Sequence, residues 1–166
     1  MNQTETLSPV LPGELQEAAW RLLQKASERE LMLATAESCT GGMVASLLTD
    51  VPGVSHAFDR GFVTYTNEAK NEMLGVPLDL IEEKTAVSRE VAIAMAEGGL
   101  AHCRARLLFA VTGYADSGPE AGLVHFACAR AGRKTAHREE HFGPIGRGPV
   151  RVECMRVAIE MMTDML

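Results

Sequence analysis

The strongest constraint in this sequence is a junction. The apolar run LMLATA at 31–36 passes through Glu37-Ser38-Cys39-Thr40-Gly41-Gly42 into 43–48, where helical spacing resumes. A run of six residues, all but Thr35 apolar, is too short for a buried helix and the right length for a buried strand. Strand, small polar turn and helix in that order form the unit from which layered α/β proteins are built. The surrounding pattern agrees. Residues 13–30 set Leu15, Ala18, Ala19, Leu22, Leu23 and Ala26 on one face of an amphipathic helix. A β-rich run follows at 61–66. Asn67 is a suitable N-cap for a short helix that carries Lys70 and ends near Gly75, and Pro77 opens another short helix through residue 82. Ser88 caps a helix reaching about residue 103, with Val91, Ala92, Met95, Ala96 and Leu100 on its buried side. Residues 105–112 (ARLLFAVT) read as a central strand. Residues 123–130 and 134–141 form a hairpin around Gly132, and a last helix over 149–166 turns Val150, Cys154, Val157, Ala158 and Met161 inward. The expected architecture is an α/β sandwich whose sheet the closing hairpin makes mixed.

With 166 residues, the chain suits one core, expected over 13–166 behind a loose polar leader at 1–12. Aromatic residues make up only 5% of it, so the core should be aliphatic. A net charge of −6 argues against sequence-independent nucleic-acid binding, which needs a clustered basic surface, although a few arginines can still bind one phosphate. Cys39, Cys103, Cys128 and Cys154 show no metal-ligand spacing and are read as reduced thiols. Residues 1–12 lack a basic start followed by an apolar stretch, and no apolar run approaches the ~20 residues needed to cross a bilayer. The expected location is the cytoplasm, with no membrane partner.

The junction carries the chemistry. At the start of a helix the first N–H groups lack intrahelical partners, and Gly41 and Gly42 let the chain turn tightly beside them. A serine exposed there can attack a carbonyl whose oxyanion the amides hold, which makes Ser38 a candidate nucleophile. Ser38 or Thr40 serving only as a helix cap fits the spacing equally well. None of the five histidines (His56, His102, His125, His137, His141) stands in an obvious triad order. His137 and His141, four apart in a strand, would lie about 13 Å apart and could not share a metal. Lys70 is the better base if burial lowers its pKa, and serine–lysine pairs are a known variant of triad chemistry; a solvated helix lysine is the alternative.

Thr35-Ala36-Glu37-Ser38-Cys39-Thr40-Gly41-Gly42 resembles the TAESCTGG signature of the CinA C-terminal domain family, the nicotinamide-nucleotide amidohydrolases. In order along the chain, LTDVPGVS at 48–55 is similar to the family's LTDVPGSS and GFVTYTNEAK at 61–70 to its GxVxYSNEAK. AVS at 86–88 and AVTG at 110–113 match its AVS and AVTG. The likeness covers nearly everything from residue 13 onward. It implies a three-layer α/β/α fold with a mixed, mostly parallel sheet, a homodimer, and hydrolysis of nicotinamide mononucleotide to nicotinic acid mononucleotide and ammonia. It needs no metal and no cofactor. Carried over, it makes Ser38 the nucleophile, Lys70 the base and Tyr65 a residue that relays or orients the proton. The substrate-binding set it implies is Glu37, Cys39, Thr40, Gly41, Gly42, Thr112, Gly113, Arg147 and Arg151, the two arginines gripping phosphate.

Two departures stand out. The family's glycine-rich loop after AVTG, IAGPGGGTxxKPVGTVW, is replaced by the shorter Tyr114-Ala115-Asp116-Ser117-Gly118-Pro119-Glu120-Ala121-Gly122-Leu123-Val124-His125, and the aspartate of its GDR motif is absent before Arg147. Asp116 and Glu120 would repel a phosphate if they faced it. An amidase of a different small amide, or a non-catalytic nucleotide-binding module, therefore stands beside the deamidase as an alternative.

Overall fold

A computed structural model describes residues 11–166. The first ten residues of the expected leader lie outside that range; Leu11 packs into the core. The elements are α1 (Gly13–Glu28), β1 (Leu33–Glu37), α2 (Met43–Thr49), a 3-10 turn (Ser55–Ala57), β2 (Phe58–Val63), α3 (Asn67–Leu74), α4 (Leu78–Lys84), α5 (Arg89–Ala101), β3 (Leu107–Gly113), β4 (Leu123–Arg130), β5 (Ala136–His141) and α6 (Arg147–Met165). The sheet order is β2-β1-β3-β4-β5. β1 pairs in parallel with β2 and β3, while β4 runs antiparallel to β3 and β5, so four of the five strands share one direction.

The two periodicities of strands and helices sort the apolar residues into two cores. Leu107, Phe109 and Val111 of β3 face α1, α2 and α6, and Leu108 and Ala110 face α3, α4 and α5. The result is the three-layer α/β/α sandwich, in which β3 is the middle strand and its neighbour β1 is buried along its whole length. Only a few aromatics are available to the core; Phe109 and Phe126 stack across β3 and β4 with ring centroids 5.9 Å apart. Gly98 allows the closest helix contact, because a Cβ there would lie 1.9 Å from the Leu74 carbonyl oxygen. Among the described residues no helix is long and apolar enough to cross a membrane.

Some boundaries shift from expectation. The N-cap of α3 is Thr66, whose hydroxyl accepts from the Ala69 N–H, rather than Asn67. β2 begins three residues earlier than the β-rich run suggests, after the unanticipated 3-10 turn. Ser88 caps α5 as expected, accepting from the Val91 N–H.

Candidate active site

The corner after β1 is organised by Glu37, not left open for a ligand. Its side chain is fully buried beneath the start of α2. Oε1 accepts from the Thr35 hydroxyl (3.1 Å) and the Ala45 N–H (2.8 Å). Oε2 accepts from the Thr40 hydroxyl (2.7 Å) and the N–H groups of Gly42 and Val44 (both 3.1 Å). These are the orphan donors of a helix N-terminus, and a carboxylate is their natural partner. The expected substrate-binding role of Glu37 is thus replaced by a structural one. The same bonds remove Gly42 from the supposed oxyanion donors, and Gly41 donates to the Ser38 carbonyl. Both glycines hold positive φ (62° and 94°), which is why the turn needs them. Among the described residues, the N–H groups of Cys39 and Thr40 make no hydrogen bond to another residue, which leaves these two, the first of them beside its own sulfur, as candidate donors to a ligand.

Ser38 faces Lys70 across the floor of a cavity of about 250 Å³. Lys70 rises from α3 and is only 1% exposed, and its Nζ lies 3.1 Å from Ser38 Oγ. The amine also donates to the carbonyls of Thr64 (3.0 Å) and Tyr65 (3.3 Å). Among the described residues no carboxylate pairs with it. Burial pushes its pKa below the ordinary lysine value, opposed only by the Cys39 sulfur. The charged amine donates to all three oxygens; on losing a proton it would keep two N–H donors for the carbonyls and turn its lone pair to the serine hydroxyl, the arrangement a general base requires.

The other expected residues are placed unevenly. Tyr65 lines the cavity but reaches Lys70 through its carbonyl, and its ring is exposed. Thr112 and Gly113 line the wall, and the Thr112 hydroxyl donates to the Ala86 carbonyl (2.8 Å). That wall turns at Thr85, a β-branched residue held at φ 70° by bonds from its hydroxyl to Val87 and from Ser88 to its carbonyl. Arg147 stands at the mouth. Arg151 instead donates from Nε to the Cys39 carbonyl (2.7 Å), bracing the corner from α6. Thr40 is buried and turned to Glu37.

All four cysteines are free thiols, as expected. The Cys39 sulfur packs in the α1–α2–α6 core, where a hydrogen bond with Cys154 pulls its pKa down and pushes that of Cys154 up. Adjacent residues thus point to opposite layers, Ser38 to Lys70 and Cys39 to Cys154. His125 and His137 meet across the hairpin at 3.2 Å. Among the described residues no cluster of His, Cys, Asp and Glu could hold a metal. Sequence reasoning missed Ala86 and Val87 as pocket wall and the carbonyls of Thr64 and Tyr65 as partners of the amine. Only the AVS match had hinted at the first pair.

Residues 15–166 match the CinA C-terminal domain model. The chain is 39% identical over 155 residues to the nicotinamide-nucleotide amidohydrolase PncC of Escherichia coli, covering 90% of this chain and 93% of that one. It is 47% identical over 114 residues to a CinA-like protein of Akkermansia muciniphila, but spans only 28% of that protein and 29% or less of the other first curated relatives it matches. A competence/damage inducible protein of Agrobacterium tumefaciens superposes with a TM-score of 0.89 at 43% identity, over 92% of this chain and 95% of that one. A CinA superfamily protein of Escherichia coli superposes at 0.85 with 32% identity, over 100% and 99%. On the family model, the relatives and the shared sandwich together, the chain belongs to the CinA C-terminal domain family.

Proposed function

We propose that this protein is an amidohydrolase that converts nicotinamide mononucleotide to nicotinic acid mononucleotide and ammonia, with Ser38 as nucleophile and Lys70 as base. One observation carries the reading: a buried amine without a carboxylate partner, held by two carbonyls, sits 3.1 Å from the hydroxyl of a serine that opens onto a cavity. A purely structural lysine gains nothing from that position. The similarity to PncC supplies the substrate class.

The steps follow from the atoms present. Lys70 takes the Ser38 proton as Oγ attacks the carboxamide carbon, and the N–H groups of Cys39 and Thr40 hold the oxyanion. The C–N bond breaks as the ammonium of Lys70 returns that proton to the departing nitrogen, which leaves as ammonia. Water then attacks the Ser38 ester, giving a proton to Lys70; the ester C–O bond breaks as Lys70 returns that proton to Ser38 Oγ, and the acid leaves as its carboxylate, its remaining proton passing to solvent. Tyr65 orients the amine through its main chain in this scheme.

A second reading, an amidase of a small amide without a phosphate, is favoured by the engagement of both expected phosphate ligands, Arg147 by Asp116 and Arg151 by the Cys39 carbonyl. Ammonia release from nicotinamide mononucleotide by the wild type and by Ser38→Ala tests the first reading. Release that disappears in the variant supports it. Release only from other amides supports the second reading, and binding without turnover of any amide would reject both.

A further inference from the structure

Among the described residues, Lys70 and Arg147 are the two cations that line the cavity, and Lys70 is buried against Ser38 and two carbonyls. Arg147, at the mouth, is therefore the cation left for an anionic substrate group. It is already occupied. Asp116, on the same wall, pairs with it in a two-pronged fork, Nε to Oδ2 at 3.0 Å and Nη2 to Oδ1 at 2.5 Å. This is the planar geometry with which a guanidinium recognises a carboxylate or a phosphate. The short loop is closed on itself, Tyr114 N–H to the Leu123 carbonyl (2.9 Å) and Gly122 N–H to the Tyr114 carbonyl (2.6 Å), so Asp116 is presented to Arg147 from a tied-down turn. Gly118 belongs to that turn for a steric reason: at φ +108° it packs so tightly on the Tyr114 ring that a Cβ would come within 2.5 Å.

We propose that Asp116 is the specificity-determining residue of this pocket: as an internal anion on Arg147, it weakens selection for a phosphorylated substrate over the same amide without phosphate. The proposal rests on the amidohydrolase reading for its substrates but not for its physical basis. A phosphate entering the mouth must displace the carboxylate or sit beside it, and either way meets like charge that a neutral ribose does not. Because the pair is about two-fifths exposed, water screens it and the effect is modest, about fivefold at most.

The test compares nicotinamide mononucleotide with the corresponding nucleoside, using wild type, Asp116→Asn and Asp116→Ala. The expected result is that Asp116→Ala raises kcat/KM for the nucleotide by about three- to fivefold, through KM, with the nucleoside changed less than about twofold. The gain disappears when Arg147→Met is added. Equal changes for both substrates, or a loss confined to the nucleotide, would overturn the proposal, the latter by showing that Asp116 positions Arg147 for phosphate. Titration with inorganic phosphate, followed by NMR, decides the point without turnover: tighter binding by Asp116→Ala supports the internal anion, and unchanged or weaker binding rejects it. If neither amide is hydrolysed by any variant, the amidohydrolase reading fails while the phosphate titration still judges Asp116.

Discussion

Replacing Glu37 by Gln should damage the corner out of proportion to the single atom changed. The side chain accepts five hydrogen bonds, three of them from main-chain N–H groups that cannot rotate. The least costly placement of a glutamine keeps its oxygen at the Oε2 position, preserving Thr40, Gly42 and Val44, and sets its NH2 where Oε1 was. The Thr35 hydroxyl can rotate to accept from that NH2. The Ala45 N–H cannot, and is left facing another donor at a position now 2.8 Å away. An orphaned buried donor costs about 1–3 kcal/mol. Removing a negative charge from the start of a helix adds about 0.3–2 kcal/mol. The sum, about 1.3–5 kcal/mol, is a large fraction of the roughly 5–15 kcal/mol that holds a domain folded. Urea unfolding should show this loss with an unchanged m-value, and the melting temperature should fall by about 3–20 °C. Activity should fall with it, because Ser38 and the donors of Cys39 and Thr40 follow directly after Glu37. A variant within about 1 kcal/mol of wild type would refute the reasoning and return Glu37 to the substrate side of the corner.

The depressed pKa of Lys70 gives two further outcomes. Activity should rise with pH as the amine loses its proton and level off below the ordinary lysine value of 10.5, so a kcat/KM profile with its acid limb at that value would contradict the base assignment. Between the lowered folded value and 10.5 the folded chain holds fewer protons than the unfolded one, so stability should climb with pH across that window, and the climb should be smaller in Lys70→Met, measured by urea unfolding at several pH values. Gly98→Ala should cost about 3 kcal/mol, because its Cβ would strike the Leu74 carbonyl and α3 and α5 must separate; a thermal melt unchanged from wild type would show that the helices have room.

Much of this molecule was legible in its sequence. The apolar run at 31–36 and the glycines after it place β1 and the turn into α2, and all five residues that helical spacing turns inward on α6, from Val150 to Met161, are buried, although Met155, Ile159 and Met162 are buried with them. What escaped depends on distance through space. That Glu37 would reach N–H groups five, seven and eight residues ahead requires the turn itself, since the same glutamate would be free on a straight strand. Arg147 and Arg151 are four apart on one helix and look equivalent, yet one meets Asp116 and the other the Cys39 carbonyl, because the 114–122 loop and the corner approach α6 from different sides. The contact of His125 with His137 depends on hairpin register, in which β5 begins at Ala136. Residue types made Lys70 a candidate base for Ser38 and resemblance made it the expected one, but spacing could not bring them together; the fold does so across thirty-two positions.

The most direct check on the serine–lysine pair is a double-mutant cycle on ammonia release from nicotinamide mononucleotide, using wild type, Ser38→Ala, Lys70→Ala and the double variant. Lys70→Ala alone should lose about 10²–10⁴ in kcat. Because a base without its nucleophile has nothing to activate, the double variant should be no slower than Ser38→Ala. Losses that instead multiply, or a Ser38→Ala protein that keeps releasing ammonia at the wild-type rate, would show that the two side chains do not act as one catalytic unit.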